Sequence, residues 1–375
     1  RSTLFPYTTL FRSGTDTLVQ RDGDGGADGF VTVLRLAGVA LDALLATEIG
    51  VAAGAVATVG SEWDEQYSGT DQGERFYAGA GNDWIVGLAG DDTLAGEAGD
   101  DVIEGGEGHD YLHGGSGADR MTGGQGNDSY WVDSQDDLTF EDPDGGLDRV
   151  YSTASVYLYA NIEELRLTAG SVAVFGVGNA LDNQIDGNEQ DNLLLGGRGD
   201  DALWGQDGDD ALFGQSGNDN LNGEGGSDTL VGGTGHDQLR GGTGADALYG
   251  EDGDDYLDGG DSFDTDILVG GEGNDVLDGR SGQADPDYDL LDGGNGDDFY
   301  VVDTGDDLTF EADGGGHDTI YAAIGVAGAG VYLYPFVEDL ELAGVAAYGV
   351  GNDLDNTITG NALDNLLLGG AGNDV

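Results

Sequence analysis

The large apolar residues of this chain recur once every nine places, a period that belongs to neither a helix nor an alternating strand. From Gly196 to Asp258 the sequence reads GGRGDDALW, GQDGDDALF, GQSGNDNLN, GEGGSDTLV, GGTGHDQLR, GGTGADALY and GEDGDDYLD. Place eight of these nonapeptides holds Leu203, Leu212, Leu221, Leu230, Leu239, Leu248 and Leu257 in turn. The triplet x-apolar-x around place eight predicts a short strand with one side chain inward and two outward. The glycines of Gly-Gly-x-Gly predict a sharp turn, because positive φ costs glycine little. Two nonapeptides then close a coil of 18 residues, and successive coils stack about 4.7–4.9 Å apart. The pattern predicts an all-β parallel solenoid.

The same rhythm opens near Ala78 as AGAGNDWIV, GLAGDDTLA, GEAGDDVIE, GGEGHDYLH, GGSGADRMT and GGQGNDSYW, with Ile85, Leu94, Ile103, Leu112, Met121 and Tyr130 at place eight. Residues 132–177 break it and then return: VDSQDDLTFEDPDGG (132–146) matches VDTGDDLTFEADGGG (302–316). The organisation is therefore a first array over 61–131, a spacer over 132–177, a second array over 178–301, a spacer repeat over 302–350 and a third array over 351–375. That third array breaks off inside a repeat, so the chain reads as a fragment. Insertions around Ser262–Thr265 and Gln283–Tyr288 interrupt the second array and are expected to bulge as loops on one face. Upstream, residues 14–60 alternate apolar and polar at Phe30, Val31, Val33, Leu34 and Leu36, and read as a short β-module. Residues 1–13 read as a non-native, adapter-derived segment.

Charge sharpens the picture. Eleven basic residues stand against 75 acidic ones, a formal net charge of −64. Such a chain repels nucleic acid and anionic membranes, and its natural partners are polyvalent cations. No stretch approaches the roughly 18 apolar residues of a membrane span. Cysteine is absent, which excludes disulfides, thiolate nucleophiles and Cys-ligated zinc.

Much of the acid sits at place six. The first array has Asp83, Asp92, Asp101, Asp110, Asp119 and Asp128, and the second has Asp201, Asp210, Asp219, Asp228, Asp237, Asp246, Asp255, Asp275 and Asp298; Asp374 follows in the third. In such a coil Asp201, Asp219, Asp237 and Asp255 superpose on one edge, and Asp210, Asp228 and Asp246 on the other. Stacked carboxylates repel unless a cation lies among them. Ca²⁺ takes 6–8 oxygens at about 2.3–2.6 Å, which aspartates and glycine-loop carbonyls can supply, whereas Mg²⁺ prefers a rigid octahedron and holds its waters. The candidate ligands are these aspartates and the loops at Gly106, Gly108, Gly197, Gly199, Gly233, Gly235, Gly242 and Gly244. One core residue per nine is a small apolar return for ordering so much glycine. The expected behaviour is a disordered chain without calcium and a rigid rod with it.

Four repeats depart, carrying Asn183, Asn192, Asn356 and Asn365 at place six; an amide lacks the charge, so these read as structural turns with little or no calcium. Asp266 and Asp289 follow insertions and are left outside the ligand set, and Glu74 marks Gly69–Tyr77 as a degenerate cap. No catalytic constellation is present, so no enzymatic activity is expected of these residues. His109 and His113 lack the Glu of a zinc helix and read as decoration of a solvent face. Asp22 and Asp24 start like an EF-hand, but Ala27 and Val33 stand where its glycine and final glutamate belong. Phe213, Val231 and Tyr249 stack at place nine, either as a docking stripe for a glycan or other surface partner or as plain β-surface.

On these residues the chain resembles the repeats-in-toxin (RTX) family, the haemolysin-type calcium-binding repeats, over 78–131, 178–301 and 351–375. The spacers resemble segments interleaved with such repeats, and 14–60 resembles a β-segment of type I-secreted proteins. The resemblance implies a right-handed parallel β-roll whose loops hold multiple Ca²⁺ ions. It also implies export of the unfolded chain by the type I secretion machinery of a Gram-negative bacterium and folding outside, in the medium or on the cell surface. Two further classes stay open: the C-terminal region of a secreted protease, lipase or epimerase, and a calcium-stiffened adhesin or surface-layer protein.

Overall fold

The computed structural model describes residues 7–10, 19–22, 58–143, 145–260, 264–280, 288–304 and 307–375. They fall into two units, 1–164 and 165–375. Every regular element among the described residues is a β-strand. In the first unit Tyr7–Leu10 pairs antiparallel with Val19–Asp22. Most of the β-module expected over 14–60 lies outside the described residues.

The rest of the first unit is a solenoid of two parallel sheets, visited alternately. One sheet runs through Thr58–Ser61, Arg75–Ala80, Thr93–Ala98, Tyr111–Ser116, Ser129–Val132 and Arg149–Ser152. The other runs through Gln66–Ser68, Trp84–Ala89, Val102–Glu107, Arg120–Gln125 and Leu138–Phe140. Ile85 pairs with Ile103, and Leu94 with Leu112, so the register advances by two nonapeptides per coil, as the repeat predicts.

The second unit repeats this arrangement. One sheet runs from Gln184–Asp186 to Thr357–Thr359 and the other from Phe175–Val177 to Leu308–Phe310, with a further three-stranded sheet of Gly330–Tyr332, Tyr348–Val350 and Leu366–Leu368. The spacer repeat adds coils to the same stack: Phe299 pairs with Thr319, Thr319 with Asp339, and Asp339 with Thr357. The insertions lengthen the coil without breaking the register. Ala247 still pairs with Ile267 and Ile267 with Leu290, so the extra residues are taken up between strands.

Place eight forms the core. Leu203, Leu212, Leu221, Leu230, Leu248 and Leu257 are fully buried, as are Ile85, Leu94, Ile103, Leu112, Met121 and Tyr130. The strands are longer than the short apolar triplet the pattern predicts. Ala211–Ser216 runs from place seven to place three of the next repeat. The first two glycine places therefore belong to the strand, and the turn is confined to places four to six.

Candidate metal centre

The turn carries the aspartate. At place six the backbone N–H of each residue donates to Oδ1 of the aspartate one coil later. Asp201 donates to Asp219 at 2.7 Å, Asp219 to Asp237 at 2.7 Å and Asp237 to Asp255 at 2.8 Å. The other edge repeats this from Asp210 to Asp228 and from Asp228 to Asp246, both at 2.8 Å. In the first unit Asp83 donates to Asp101 at 2.7 Å and Asp92 to Asp110 at 2.9 Å. The superposition expected from the coil length is present in both units.

The second carboxylate oxygen is left over. Oδ2 of Asp83, Asp92, Asp101, Asp110, Asp119, Asp128, Asp201, Asp210, Asp219, Asp228, Asp237, Asp246, Asp255, Asp275 and Asp298 is buried and has no hydrogen-bond partner. Burial pushes these acids up despite the stabilising N–H: Asp201, Asp210, Asp237 and Asp246 to about 7, Asp219 and Asp228 to about 6. The aspartate of a neighbouring coil adds repulsion at Asp201 and Asp237. A buried acceptor without a donor costs about 1–3 kcal/mol, more when charged. Rows of such oxygens suit a hard cation that takes oxygen ligands, and Ca²⁺ fits this donor set better than a metal seeking nitrogen or sulfur.

Glycine at place one makes room for that oxygen. A Cβ at Gly205, Gly223 or Gly241 would overlap Oδ2 of Asp210, Asp228 or Asp246 in its own repeat. It would also lie 2.8, 2.7 or 2.6 Å from the place-one carbonyl of the next coil. The turn pattern predicts positive φ at all three glycine places, but only places two and four adopt it. Gly106 and Gly108 have φ of 122° and 139°, Gly197 and Gly199 of 119° and 104°. Gly233, Gly235, Gly242 and Gly244 likewise lie between 117° and 135°. Place two admits side chains in that same conformation, at Gln206 and Gln215 (81° each) and at Glu224 (71°). At place four a Cβ on Gly235 would overlap the carbonyl oxygen of Gly217, so successive loops face one another through their backbones.

A second ladder, at place five, goes beyond what the repeat pattern predicts. Here the side chain accepts the N–H of the place-five residue one coil later: Asp200 from Asn218 (2.8 Å), Asn218 from His236 (2.9 Å) and His236, through Nδ1, from Asp254 (2.8 Å). His109 does the same for Asn127 at 2.7 Å, so it is a rung of the ladder and more than surface decoration. His113 stacks on Trp131, with ring centroids 6.0 Å apart. The signal is present in the sequence as a preference for Asp, Asn and His at place five, the side chains able to accept a hydrogen bond at that reach.

Asn183, Asn192, Asn356 and Asn365 hold their turns differently. Asn192 Oδ1 accepts the N–H of Asn188 at 2.7 Å, while its Nδ2 reaches Asn188 Oδ1 and the carbonyl of Ala173. Asn356 is paired in the same way with Asn352, and Asn365 with Asn361. Asn183 Oδ1 accepts the N–H of Asn179 at 2.7 Å. These amides are satisfied by protein, unlike the aspartates. Asp266 and Asp289, set aside on sequence, lie in the ladder: Asp246 donates to Asp266 at 2.8 Å and Asp266 to Asp289 at 2.9 Å. Asp374 also joins it, accepting from Asn356 at 3.1 Å, with its side chain exposed. The Glu74 carboxylate turns back to Thr70 of its own repeat, as befits a first coil.

A parallel solenoid whose turns stack buried, half-satisfied aspartates between glycine loops defines a class: β-rolls built around metal-binding loops. The sequence model of the RTX calcium-binding nonapeptide repeat matches the chain at residues 68–103, 96–130, 104–138, 177–212, 204–239, 231–265, 262–283 and 350–375. These segments cover more than half of the chain, which belongs to the RTX calcium-binding nonapeptide repeat family. A search among curated individual proteins finds no match.

Proposed function

We propose that this chain binds many Ca²⁺ ions in its glycine loops and that binding drives folding of the roll. The observation that carries this reading is the run of buried Oδ2 atoms without partners at place six. Each of these fifteen aspartates, from Asp83 to Asp128, Asp201 to Asp255, Asp275 and Asp298, leaves Oδ2 without a partner, so an ion bound there joins carboxylates to neighbouring loop carbonyls. Binding that favours only the folded state stabilises it by RT ln(1 + [L]/Kd), and many stacked sites multiply the effect.

Coupling of this kind suits a protein exported unfolded by a type I machinery from a Gram-negative cell and folded outside, where calcium is plentiful. Repulsion within a chain of charge −64 supports an expanded state before the ions arrive. The role is mechanical, a calcium-stiffened segment at the cell surface or in the medium, and no reaction is assigned to these residues. Isothermal calorimetry on the metal-stripped chain tests the binding. Multiple ions bound from Ca²⁺ but not from equimolar Mg²⁺ support it, and heat that is equal for the two metals contradicts it.

A further inference from the structure

The first and second arrays each end on a cluster unlike the loops before it. In the first unit one carboxylate oxygen from each of Asp128, Glu141 and Asp148 lies within 4.8 Å of the other two, and in the second unit Asp298, Glu311 and Asp318 do the same. The two clusters share the same order and the same spacing along the chain. Only Asp128 and Asp298 belong to the nonapeptide rhythm. The other four come from the spacers.

The local structure explains why the cluster forms there. The last place-eight residue of the first and second arrays is tyrosine, Tyr130 or Tyr300, where the preceding full nonapeptides carry leucine, isoleucine or methionine. The longer side chain carries its hydroxyl out of the core to the place-one glycine, accepting the N–H of Gly123 at 2.6 Å or of Gly293 at 2.8 Å. The hydroxyl in turn donates to Glu141 or Glu311 and so draws that glutamate over the final loop. The next coil is longer than the standard one, and Asp148 and Asp318 enter as its place-six aspartates, accepting the N–H of Asp128 at 2.7 Å and of Asp298 at 2.9 Å.

The result is three carboxylates around one point. Asp128 and Asp148 are 1% and 0% exposed, Asp298 and Asp318 2% and 1%, and Oδ2 of all four has no partner. Oε2 of Glu311 is unpartnered as well. Asp128 Oδ2 and Glu141 Oε1 both point at the space beside Gly123 that a Cβ would fill. No arginine or histidine among the described residues forms an ion pair with any of the six carboxylates. Without a cation, burial drives Glu141 and Glu311 up to about 8.

We infer that the first and second arrays are each closed by a dedicated cation site, Asp128–Glu141–Asp148 and Asp298–Glu311–Asp318, which takes a hard divalent ion such as Ca²⁺ through side-chain carboxylates from two coils and a spacer glutamate. It is separate in composition from the nonapeptide loops. There one aspartate per repeat is helped by backbone carbonyls; at the array end, where the glycine loops stop, glutamate and a second aspartate supply the oxygens.

Counting bound calcium by atomic emission after equilibrium dialysis tests this in the full chain. Glu141→Gln and Glu311→Gln keep the size and hydrogen-bonding reach of the glutamate, and circular dichroism at saturating Ca²⁺ checks the fold of each variant. The expected result is one ion fewer per chain in each single variant and two fewer in the double variant, with the remaining ions retained. If the double variant does not fold, the single variants still report, since each leaves the other unit's cluster intact. Unchanged counts overturn the inference. So does loss of a whole array's ions from one substitution, which makes the glutamate a structural residue. A wild-type chain that binds only two ions, both lost in the double variant, supports these sites while removing the loop reading proposed above.

Discussion

At the scale of the residue, the aspartate at place six divides its two oxygens between two tasks, and glycine at place one holds the space for the second. Gly223→Ala pushes a methyl group into Asp228 Oδ2, whereas Gly225→Ala meets nothing nearer than 3.3 Å. Overpacking of this kind costs about 1–3 kcal/mol. Chemical denaturation of the calcium-loaded variants should therefore show a loss of that size for Gly223→Ala and a near-neutral effect for Gly225→Ala. Asp219→Ala removes the acceptor of the Asp201 N–H together with a ligand oxygen. It should weaken the calcium-loaded fold by about 1.5–3 kcal/mol, the range for hydrogen bonds to charged groups. Asn222→Ala, at outward place nine, should change the calcium midpoint little, and equal effects of the two would displace the ligands from place six. The aspartate ladder was legible because a fixed period places one residue type at one point of a coil. The division of its oxygens, and the place-one overlap, were not legible, since both depend on where the carboxylate turns once the coils are stacked.

At the scale of the element, the turns are held by a place-six ladder accepting from the coil before it and, where place five is Asp, Asn or His, by a second ladder accepting from the coil after it. The place-six ladder runs on across the insertions, so a coil can lengthen while Asp266 and Asp289 stay in line. The sequence showed where the rhythm broke; whether the register survived the break depended on pairing between coils, which local pattern does not contain. The clusters that end the first and second arrays were illegible for the same reason, because Glu141 and Asp148 lie in the spacer, outside the repeat that contains Asp128. The place-six acids also set the pH response of the metal-free roll. Burial pushes Asp201, Asp219 and Asp237 up to about 6 to 7 against the ordinary aspartate value near 3.8, so the folded state holds protons that the unfolded chain has released. That contribution is complete below the unfolded value and is lost as pH rises through 6 to 7. Far-ultraviolet circular dichroism of a metal-stripped sample should accordingly show more β-structure at pH 5 than at pH 8, and saturating Ca²⁺ should abolish the difference. Equal or greater β content at pH 8 without metal is the contrary result.

At the scale of the whole molecule, 75 acidic residues against 11 basic ones make the metal-free chain self-repelling, and its core supplies one buried apolar side chain per nonapeptide. If the missing stabilisation comes from ions shared between coils, order in this chain follows the metal. Titrating a metal-stripped sample at pH 7.5 with Ca²⁺ while recording far-ultraviolet circular dichroism tests that claim most directly. A cooperative change from a disordered to a β spectrum is expected at millimolar Ca²⁺ and not with Mg²⁺. A full β spectrum in the metal-stripped sample, unchanged by added calcium, contradicts it.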